Sequence, residues 1–329
     1  MRILAIADAY IPLDMLKEGT AALAEHDITY VEWETESIEQ LQEVNLLVEQ
    51  NGPNGVPLPD DIAELAAQSD IIITQFAPIG AELIAACPNL SIIGVLRGGT
   101  ENVDAEAAER AGITVLNTAG RNARAVAEFT VGLILAETRN IARTHAAMRN
   151  HVWLKDFPNG DAIGEMEGRT VGLVGAGAIG QLVMRFLRGM DVNCQFYDPY
   201  QDSDYGTRVD SLEQLMATSD IVSLHSRLTK DTHHLIDRPM LELMKPNAVL
   251  INTARSGLVD EAALLDALRT RSIQGAAIDT FDEEPLPEGS EWMTLDNVTI
   301  TSHLAGSTRD AFAKTPIMLS QRILAHLAH

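Results

Sequence analysis

The sequence predicts an α/β protein with parallel sheets in two domains. Short runs of β-branched residues alternate with alanine-rich helical stretches through most of the chain, which is typical of βαβ units. The chain has 329 residues, whereas a single domain usually has about 100–200. Between residues 123 and 149 the alternation stops and only helical spacing is seen. The chain therefore contains two strand–helix series.

The first series occupies the first third of the chain. Its predicted strands are Ile3–Ala7, Ile28–Trp33, Asp70–Thr74, Ser91–Leu96 and Thr114–Asn117. Its clearest predicted helices are Leu13–Glu25 and Pro59–Ser69, and the glycine- and proline-rich segment Asn51–Pro57 is a loop.

One long helix is predicted between the two series, over Ala123–Arg149. The segment has no proline and one glycine, Gly132, and its apolar residues recur at helical spacing. They are more numerous than one buried face requires, which favours a two-fold dimer interface. The alternative is a helix buried between two domains.

The second series follows this helix. Its predicted strands are Thr170–Val174, Val192–Tyr197, Asp220–His225, Ala248–Thr253, Ile273–Asp279 and Val298–Thr301. A last helix is predicted at about Arg309–Leu327.

The composition favours a globular protein that binds neither nucleic acid nor membranes. Hydrophobic residues make up 46% of the chain and charged residues 22%, as is usual for globular proteins. The chain has 24 basic and 47 acidic residues, a net charge of −23, and therefore repels phosphate backbones and anionic lipids. The apolar start Met1–Ala7 is too short for a signal peptide, and Cys87 and Cys194 are too few for a disulfide framework. A cytoplasmic location is expected.

A glycine-rich motif follows the first strand of the second series. The motif is Gly175-Ala-Gly-Ala-Ile-Gly180, with a predicted strand before it and a predicted helix after it. Such glycines let the backbone approach a pyrophosphate at the helix N-terminus. The next strand leads to Asp198, whose carboxylate can bind ribose hydroxyls and would repel a 2′-phosphate. The pattern predicts a dinucleotide site that favours NAD over NADP; the alternative is a tight turn that binds no nucleotide.

Polar groups follow five strands of the second series. They are Asp198, His225, Arg255, Asp279 and His303. Taken alone, each of these residues has a structural interpretation: a helix cap, a loop histidine whose hydrogen bonds are made within the protein, or one member of an ion pair. Because ligands of open α/β sheets bind at the carboxyl ends of the strands, their shared edge favours an active site.

Two of these groups suit acid–base chemistry on an anionic substrate. Arg255 has a rigid fork that matches a carboxylate, and His303 exchanges protons near neutral pH. The acidic run Asp282-Glu283-Glu284 offers a carboxylate to orient the imidazole, and the pattern does not choose among its three members. The histidines lack the spacing of metal ligands, so no metal is predicted.

The sequence resembles the D-isomer-specific 2-hydroxyacid dehydrogenases, which include the phosphoglycerate dehydrogenases, from about Ile92 to Arg309. The segments that carry the resemblance are Gly94–Asp104, Gly120–Glu128, Asn252–Asp260, Gly275–Pro285 and Thr301–Thr308. The chain departs from the usual family pattern at Phe129, Arg227 and Ser302, and none of these departures removes a catalytic group.

The resemblance implies a role for individual residues. Arg255 binds the substrate carboxylate and carbonyl, His303 is the acid–base group, and Glu284 is its partner. The backbone N–H groups of Gly98 and Gly99 hold the substrate carboxylate. The cofactor contacts implied by the motif and the resemblance are Gly175, Gly177, Ala178, Ile179, Gly180, Asp198, His225, Thr253, Ala254 and Asp279, the last on the nicotinamide side.

The resemblance also implies an architecture and a reaction. A Rossmann NAD-binding domain, residues 119–303, is inserted in a discontinuous flavodoxin-like α/β substrate domain, residues 1–118 and 304–329. The implied protein is a homodimer, joined through the helix Ala123–Arg149, that interconverts a D-2-hydroxy acid and its 2-keto acid with NAD. Alternatives are phosphite or formate oxidation, of which Glu284 argues against formate, and a non-enzymatic NAD-sensing protein resembling the family's corepressors.

Arg97 precedes the implied carboxylate loop. We expect it to contact a second polar or anionic group of the substrate, because it lies at the carboxyl end of a strand beside Gly98. That contact would favour a sugar-acid-like or phosphorylated 2-hydroxy acid. The alternative is an ion pair with Glu101.

Overall fold

A computed structural model describes residues 1–35 and 37–328. The chain divides into two compact units: unit 1 comprises residues 1–122 and the segment from 307 onward, and unit 2 comprises residues 123–306. The resemblance to the family implies divisions after residues 118 and 303. His329, the last residue of the expected substrate domain, lies outside the described residues.

Unit 1 contains a five-stranded parallel sheet. Its strands are β1 (Arg2–Ala7), β2 (Asp27–Glu32), β3 (Ile71–Thr74), β4 (Ile92–Val95) and β5 (Thr114–Asn117). They lie in the order β2-β1-β3-β4-β5, which is the flavodoxin-like arrangement. This order confirms the predicted fold class for unit 1.

Helices cover both faces of this sheet. They are α1 (Leu13–Gly19), α2 (Ile38–Asn51), α3 (Asp60–Ala66), α4 (Ala81–Ala86), α5 (Ala105–Arg110) and, from the end of the chain, α12 (Arg309–Leu327). Successive residues of β1 point to opposite faces: Ile3 and Ala5 pack in a core with Leu319 and Ile323 of α12. The last helix thereby packs on a sheet whose strands all come from the first third of the chain.

Unit 2 contains a seven-stranded parallel sheet. Its strands are β6 (Thr170–Val174), β7 (Asn193–Tyr197), β8 (Thr207–Arg208), β9 (Ile221–Leu224), β10 (Val249–Asn252), β11 (Gly275–Ile278) and β12 (Val298–Ile300). They lie in the order β12-β11-β10-β9-β6-β7-β8. The strand order reverses at β6, as in Rossmann folds, and ligands bind above such a switch point.

The helices of unit 2 lie between these strands and before them. They are α6 (Ala123–Thr138), α7 (Ile141–Arg149), α8 (Ala178–Leu187), α9 (Leu212–Thr218), α10 (Arg238–Glu242) and α11 (Glu261–Thr270). The short edge strand β8 was not predicted, because two residues give no readable alternation. Among the described residues, no helix is long and apolar enough to span a bilayer.

The prediction of one long helix over Ala123–Arg149 is wrong. Two helices occupy the segment, and Asn140 between them has a left-handed backbone with φ of 54°, a conformation that asparagine tolerates better than most residues. The break is stabilised by buried Glu137, whose carboxylate accepts two hydrogen bonds from Arg143 at 2.7 and 2.9 Å. Thr299 donates a third at 2.7 Å, which ties the helix break to β12.

Candidate functional site

The glycine-rich turn between β6 and α8 contains two glycines that the protein's own packing requires. Gly175 has φ of +105°, and a Cβ there would lie 2.9 Å from the carbonyl carbon of His225. A Cβ on Gly180 would lie 2.2 Å from the carbonyl oxygen of Gly175. Neither position accepts a larger residue without movement of the backbone.

Gly177 is different, because its glycine is not explained by packing. A Cβ there would meet no atom within 4 Å, and the backbone at this position is extended. Gly177 is also the N-cap of α8, and no side chain caps the helix. The N–H groups of the first turn, which begins at Ala178 and Ile179, therefore lack a side-chain cap, and the helix dipole favours an anion at this end. The turn fits the pyrophosphate of a dinucleotide.

Asp198 lies at the end of β7 with a buried carboxylate. Its Oδ1 accepts hydrogen bonds from the N–H groups of Tyr200 and Gln201 at 2.8 and 2.9 Å. Its Oδ2 accepts one from the Ala176 N–H at 2.8 Å. A carboxylate oxygen has two lone pairs, so Oδ2 retains the capacity to bind a ribose hydroxyl beside the glycine-rich turn.

His225 follows β9 and is held as a neutral group. Its Nε2 lies 2.9 Å from the Ser223 hydroxyl, and its Nδ1 is buried without a hydrogen-bond partner. Burial lowers the pKa of His225 to about 3, because a charged imidazolium would be desolvated. His225 is therefore an uncharged imidazole at neutral pH and is not suited to act as a general acid, and its contact with the cofactor stays a prediction.

The loop after β10 presents Arg255. Asn252 fixes this loop: its Oδ1 accepts from the Ala254 N–H at 3.0 Å and its Nδ2 donates to the Arg255 carbonyl at 2.9 Å. The Thr253 hydroxyl lies 2.8 Å from that of Thr130 on α6. The Arg255 side chain is exposed and forms no ion pair with any described residue, although the chain has 47 acidic residues. Its guanidinium is available to an anion.

The loops after β11 and β12 bring a carboxylate and an imidazole together. Glu284 Oε2 lies 2.8 Å from His303 Nδ1, while its Oε1 accepts from the Phe281 N–H at 2.8 Å. Of the three acidic residues in this run, Glu284 is the one that reaches the imidazole. His303 Nε2 has no hydrogen-bond partner among the described residues, and the side chain as a whole is 47% exposed.

Asp279 supports His303 in a way that the sequence analysis did not foresee. It is fully buried and accepts from the Thr301 hydroxyl at 2.5 Å and from the N–H groups of Leu304 and Ala305, both at 2.9 Å. These bonds hold the backbone around His303, whose φ of 55° lies in the left-handed region. The partners are more than 20 residues away along the chain, so no local pattern indicates them. Its expected nicotinamide contact stays a prediction.

In unit 1 the loop after β4 carries Gly98 and Gly99, and Asn117 donates to the Gly98 carbonyl at 2.8 Å. Arg97 forms an ion pair with Glu101 at 3.2 Å and donates to Asn45 at 2.7 Å. This ion pair is the alternative interpretation of Arg97, and the expected contact of Arg97 with a second polar group of the substrate stays a prediction.

Comparison with known proteins identifies the class to which this site belongs. The NAD-binding domain of the D-isomer-specific 2-hydroxyacid dehydrogenases matches residues 131–305, the segment that contains the glycine-rich turn, Arg255, Glu284 and His303. The chain belongs to this family. It is an NAD-dependent D-2-hydroxyacid dehydrogenase, and its substrates are small 2-hydroxy and 2-keto acids.

Individual relatives agree with this placement. The dehydrogenase is 40% identical to a glyoxylate reductase of Thermofilum pendens over 76% of this chain and 75% of the relative. It is 34% identical to a hydroxypyruvate reductase of Thermotoga maritima over 82% and 88%, respectively. It spans about half the length of the D-3-phosphoglycerate dehydrogenases that it matches, for example 51% of that of Methanocaldococcus jannaschii.

A solved structure confirms the fold over the whole chain. D-2-hydroxyisocaproate dehydrogenase superposes with a TM-score of 0.78 at 26% identity, covering 99% of this chain and 97% of that one. The expected fold class, a Rossmann NAD-binding domain with a flavodoxin-like α/β domain, is thereby confirmed.

The two kinds of glycine in the turn lead to different expected outcomes. Gly177→Ala should leave the thermal stability of the dehydrogenase unchanged, because the new Cβ meets no protein atom within 4 Å. The same substitution should raise the Kd for NADH by about tenfold or more, because the methyl group fills space that the pyrophosphate needs. Fluorescence titration with NADH measures the Kd. Gly180→Ala is the matched comparison and should lower the melting temperature. Unchanged NADH binding by Gly177→Ala would remove this turn from the cofactor site.

Proposed function

We propose that the dehydrogenase interconverts a 2-keto acid and a D-2-hydroxy acid with His303 as the acid–base group, Glu284 as its partner and Arg255 as the group that binds the substrate carboxylate and carbonyl. In unit 1, the N–H groups of Gly98 and Gly99 hold the carboxylate. The observation that carries the proposal is the 2.8 Å contact between His303 Nδ1 and Glu284 Oε2, which leaves Nε2 without a partner among the described residues.

The contact with Glu284 decides which nitrogen of His303 exchanges a proton with the substrate. Nδ1–H donates to Glu284, so Nε2 is the atom that gains or loses a proton. In the reducing direction Nε2–H donates to the carbonyl oxygen of the keto acid as that oxygen becomes a hydroxyl. The carboxylate of Glu284 stabilises the imidazolium before this transfer. In the oxidising direction neutral Nε2 takes the hydroxyl proton.

Arg255 acts on the same carbonyl through its charge. Its fork can hold the substrate carboxylate and lie beside the carbonyl oxygen, where negative charge develops during reduction. The exposed guanidinium, with no ion pair among the described residues, is suited to this role. Bound NADH supplies the hydride. Asp279 and Asn252 act by positioning, because they fix the backbone on which His303 and Arg255 stand.

An NADH-oxidation assay across small 2-keto acids tests the proposal. The panel contains glyoxylate, pyruvate and hydroxypyruvate. Glyoxylate and hydroxypyruvate are included because the two similar reductases, at 40% and 34% identity, are named for these compounds. Formate and phosphite with NAD are the comparison reactions. The proposal predicts turnover of at least one keto acid. NADH binding without turnover of any member of the panel would instead favour an NAD-sensing protein.

We expect the dehydrogenase to prefer NADH to NADPH by about a hundredfold in kcat/KM, because Asp198 would repel a 2′-phosphate. Arg208 donates to the backbone carbonyls of Asp198 and Gln201 and forms an ion pair with Asp202 at 3.7 Å, so it is already engaged. Steady-state kinetics with both cofactors measures the preference. Asp198→Ser should narrow this preference for NADH, whereas Asp204→Ser, which removes an exposed carboxylate nearby, should not. An equal or better kcat/KM with NADPH would overturn the assignment of Asp198.

We also expect a dimer, formed through the helical segment after residue 123. The exposed apolar side chains of this region lie on α7 and the loop after it: Ile141, Met148, Val152, Trp153 and Leu154. Trp153 is 75% exposed, and large exposed aromatic residues mark interfaces. Sedimentation should show a dimer at micromolar concentration, and Trp153→Asp should shift it toward monomer. Met293→Asp, at an apolar residue 56% exposed elsewhere in unit 2, is the control. A monomeric wild type would reject this interface.

A further inference from the structure

The loop after β9 carries an arginine that the proposed mechanism does not use. The residue is Arg227, one of the positions at which the chain departs from the usual pattern of its family. β9 lies next to β6, and Val174 pairs with Leu224 at the ends of the two strands. Because the two strands are parallel, the loop that carries Arg227 leaves the sheet at the same edge as the glycine-rich turn.

Contacts within unit 2 hold the start of this loop against the turn. The N–H of His225 and the hydroxyl of Ser226 both donate to the carbonyl of Val174, at 2.8 and 3.1 Å. A Cβ on Gly175 would lie 2.9 Å from the carbonyl carbon of His225 and 3.0 Å from the backbone nitrogen of Ser226. Arg227 is therefore the next residue after a segment that contacts the turn.

The backbone of Arg227 is fixed, whereas its side chain has no partner. The Thr232 hydroxyl donates to the Arg227 carbonyl at 2.6 Å and accepts from the Thr229 N–H at 2.7 Å. Arg227 is exposed, and its guanidinium forms no hydrogen bond, ion pair or ring contact with any described residue. This holds even for Asp231, the nearest acidic residue along the chain. The charge of Arg227 is therefore available to a bound anion.

The glycine-rich turn supplies no positive side chain to the pyrophosphate that it fits. Its residues from Gly175 to Gly180 are glycine, alanine and isoleucine, so the turn offers only backbone N–H groups and the helix dipole. Both phosphates of a dinucleotide are negatively charged, and a protein with a net charge of −23 repels such an anion at long range. Arg208 is engaged by the carbonyls of Asp198 and Gln201. A local positive charge at the turn must come from another loop.

We propose that the guanidinium of Arg227 binds the pyrophosphate of NAD at the glycine-rich turn. β6 lies between β9 and β7, so Arg227 and Asp198 stand on loops that flank the turn on opposite sides. Arg227 binds the phosphates from one side, which leaves the adenosine ribose to Asp198 on the other. The planar fork of arginine matches two phosphate oxygens. The inference rests on the proposed assignment of the turn to the pyrophosphate and does not depend on which acid is reduced.

Fluorescence titration with NADH at low ionic strength measures this contribution. Arg227→Met should raise the Kd for NADH by about tenfold, because it removes a charge-assisted hydrogen bond. Arg227→Lys keeps the charge and should raise the Kd by about threefold or less. Salt screens an exposed ion pair, so the Kd of wild type should rise more steeply with salt than that of Arg227→Met.

Arg188→Met is the matched control, because it removes an exposed arginine at the other end of α8. The helix has 10 residues and is therefore about 15 Å long. Its loss of charge is the same as in Arg227→Met, and the Kd for NADH should stay at the wild-type value.

Other ligands distinguish a pyrophosphate contact from other contacts of an arginine with the cofactor. ADP-ribose keeps the pyrophosphate, so its affinity for Arg227→Met should fall as that of NADH does. Adenosine has no phosphate and should displace NADH equally well from both proteins. An equal loss of affinity for adenosine would overturn the proposal and place the guanidinium on the adenine ring. A larger loss for NADPH than for NADH would also overturn it, because Arg227 would then contact the 2′-phosphate.

Thermal melting and the Gly177→Ala variant separate the remaining outcomes. Arg227→Met should melt at the wild-type temperature, because the side chain has no partner among the described residues. An unchanged Kd for NADH in Arg227→Met, with a raised Kd in Gly177→Ala, would overturn the inference while the assignment of the turn stands. An unchanged Kd in both variants would count against the assignment of the turn itself.

Discussion

The variant His303→Ala is expected to lower kcat by about two to four orders of magnitude, which is the range for the loss of a general acid–base group. In the folded protein the imidazole is oriented by Glu284 through a 2.8 Å contact, and its backbone is held by Asp279. Without Nε2, the carbonyl oxygen must take its proton from water. The KM for NADH should change little, because the glycine-rich turn and Asp198 are untouched.

The effects of substituting His303, Glu284 and Arg255 should not add, because the proposed mechanism has all three groups acting on one carbonyl. Glu284→Gln keeps an acceptor for Nδ1–H and loses the charge, so it should lower kcat in wild type and have almost no further effect in the His303→Ala background. His326→Ala, at an exposed histidine of α12, is the control. If His303→Ala turned over at a near-normal rate, the acid–base assignment would be wrong.

His225 is expected to make unit 2 lose stability in acid. Its folded pKa is about 3, whereas an unfolded histidine titrates near 6.5. Above pH 6.5 the imidazole of His225 is neutral in both the folded and the unfolded protein, so its contribution to the free energy of unfolding is fully present. As the pH falls from 6.5 toward 3, the unfolded state takes up the proton first, so the free energy of unfolding decreases by about 1.4 kcal/mol per pH unit. The loss by pH 4.5 is about 3 kcal/mol.

Urea unfolding of wild type and His225→Gln at pH 7.5 and pH 4.5 measures this effect. The difference between the two proteins is the relevant quantity, because Asp8, with its raised pKa of about 6, acts in the opposite sense over the same range. His225→Gln should lose less stability than wild type on acidification, and His326→Gln should behave like wild type. Equal losses in wild type and His225→Gln would show that the imidazole titrates normally in the folded protein.

The features that could be predicted from the sequence are those whose cause is local. The glycine-rich turn is one of them: its glycines, Gly175, Gly177 and Gly180, indicate a turn between a strand and a helix. The neighbouring residues predict that strand and that helix. The β-branched runs likewise predict most strands of both sheets. The place of Arg255, Glu284 and His303 on three successive loops follows from the rule that parallel strands end at one edge.

The features that were missed depend on partners far away in the chain. The break at Asn140 is held by Glu137, Arg143 and Thr299, and a helical pattern of apolar residues does not contain that information. Asp279 was interpreted through the family alone, and its bonds to the backbone around His303 become visible only when β11 and β12 lie side by side.

The distribution of roles between the units has a consequence for how enzymes of this kind can diversify. Arg255, Glu284 and His303 all belong to unit 2, an uninterrupted stretch from 123 to 306, and they stand on the loops after the adjacent strands β10, β11 and β12. The Gly98–Gly99 loop, which is proposed to hold the substrate carboxylate, belongs to unit 1. The proposed roles therefore predict that substitutions in unit 1 change substrate binding while the proposed proton-transfer groups of unit 2 stay intact. An engineered exchange of residues 1–122 and the segment from 307 onward for those of a relative would test this separation of roles.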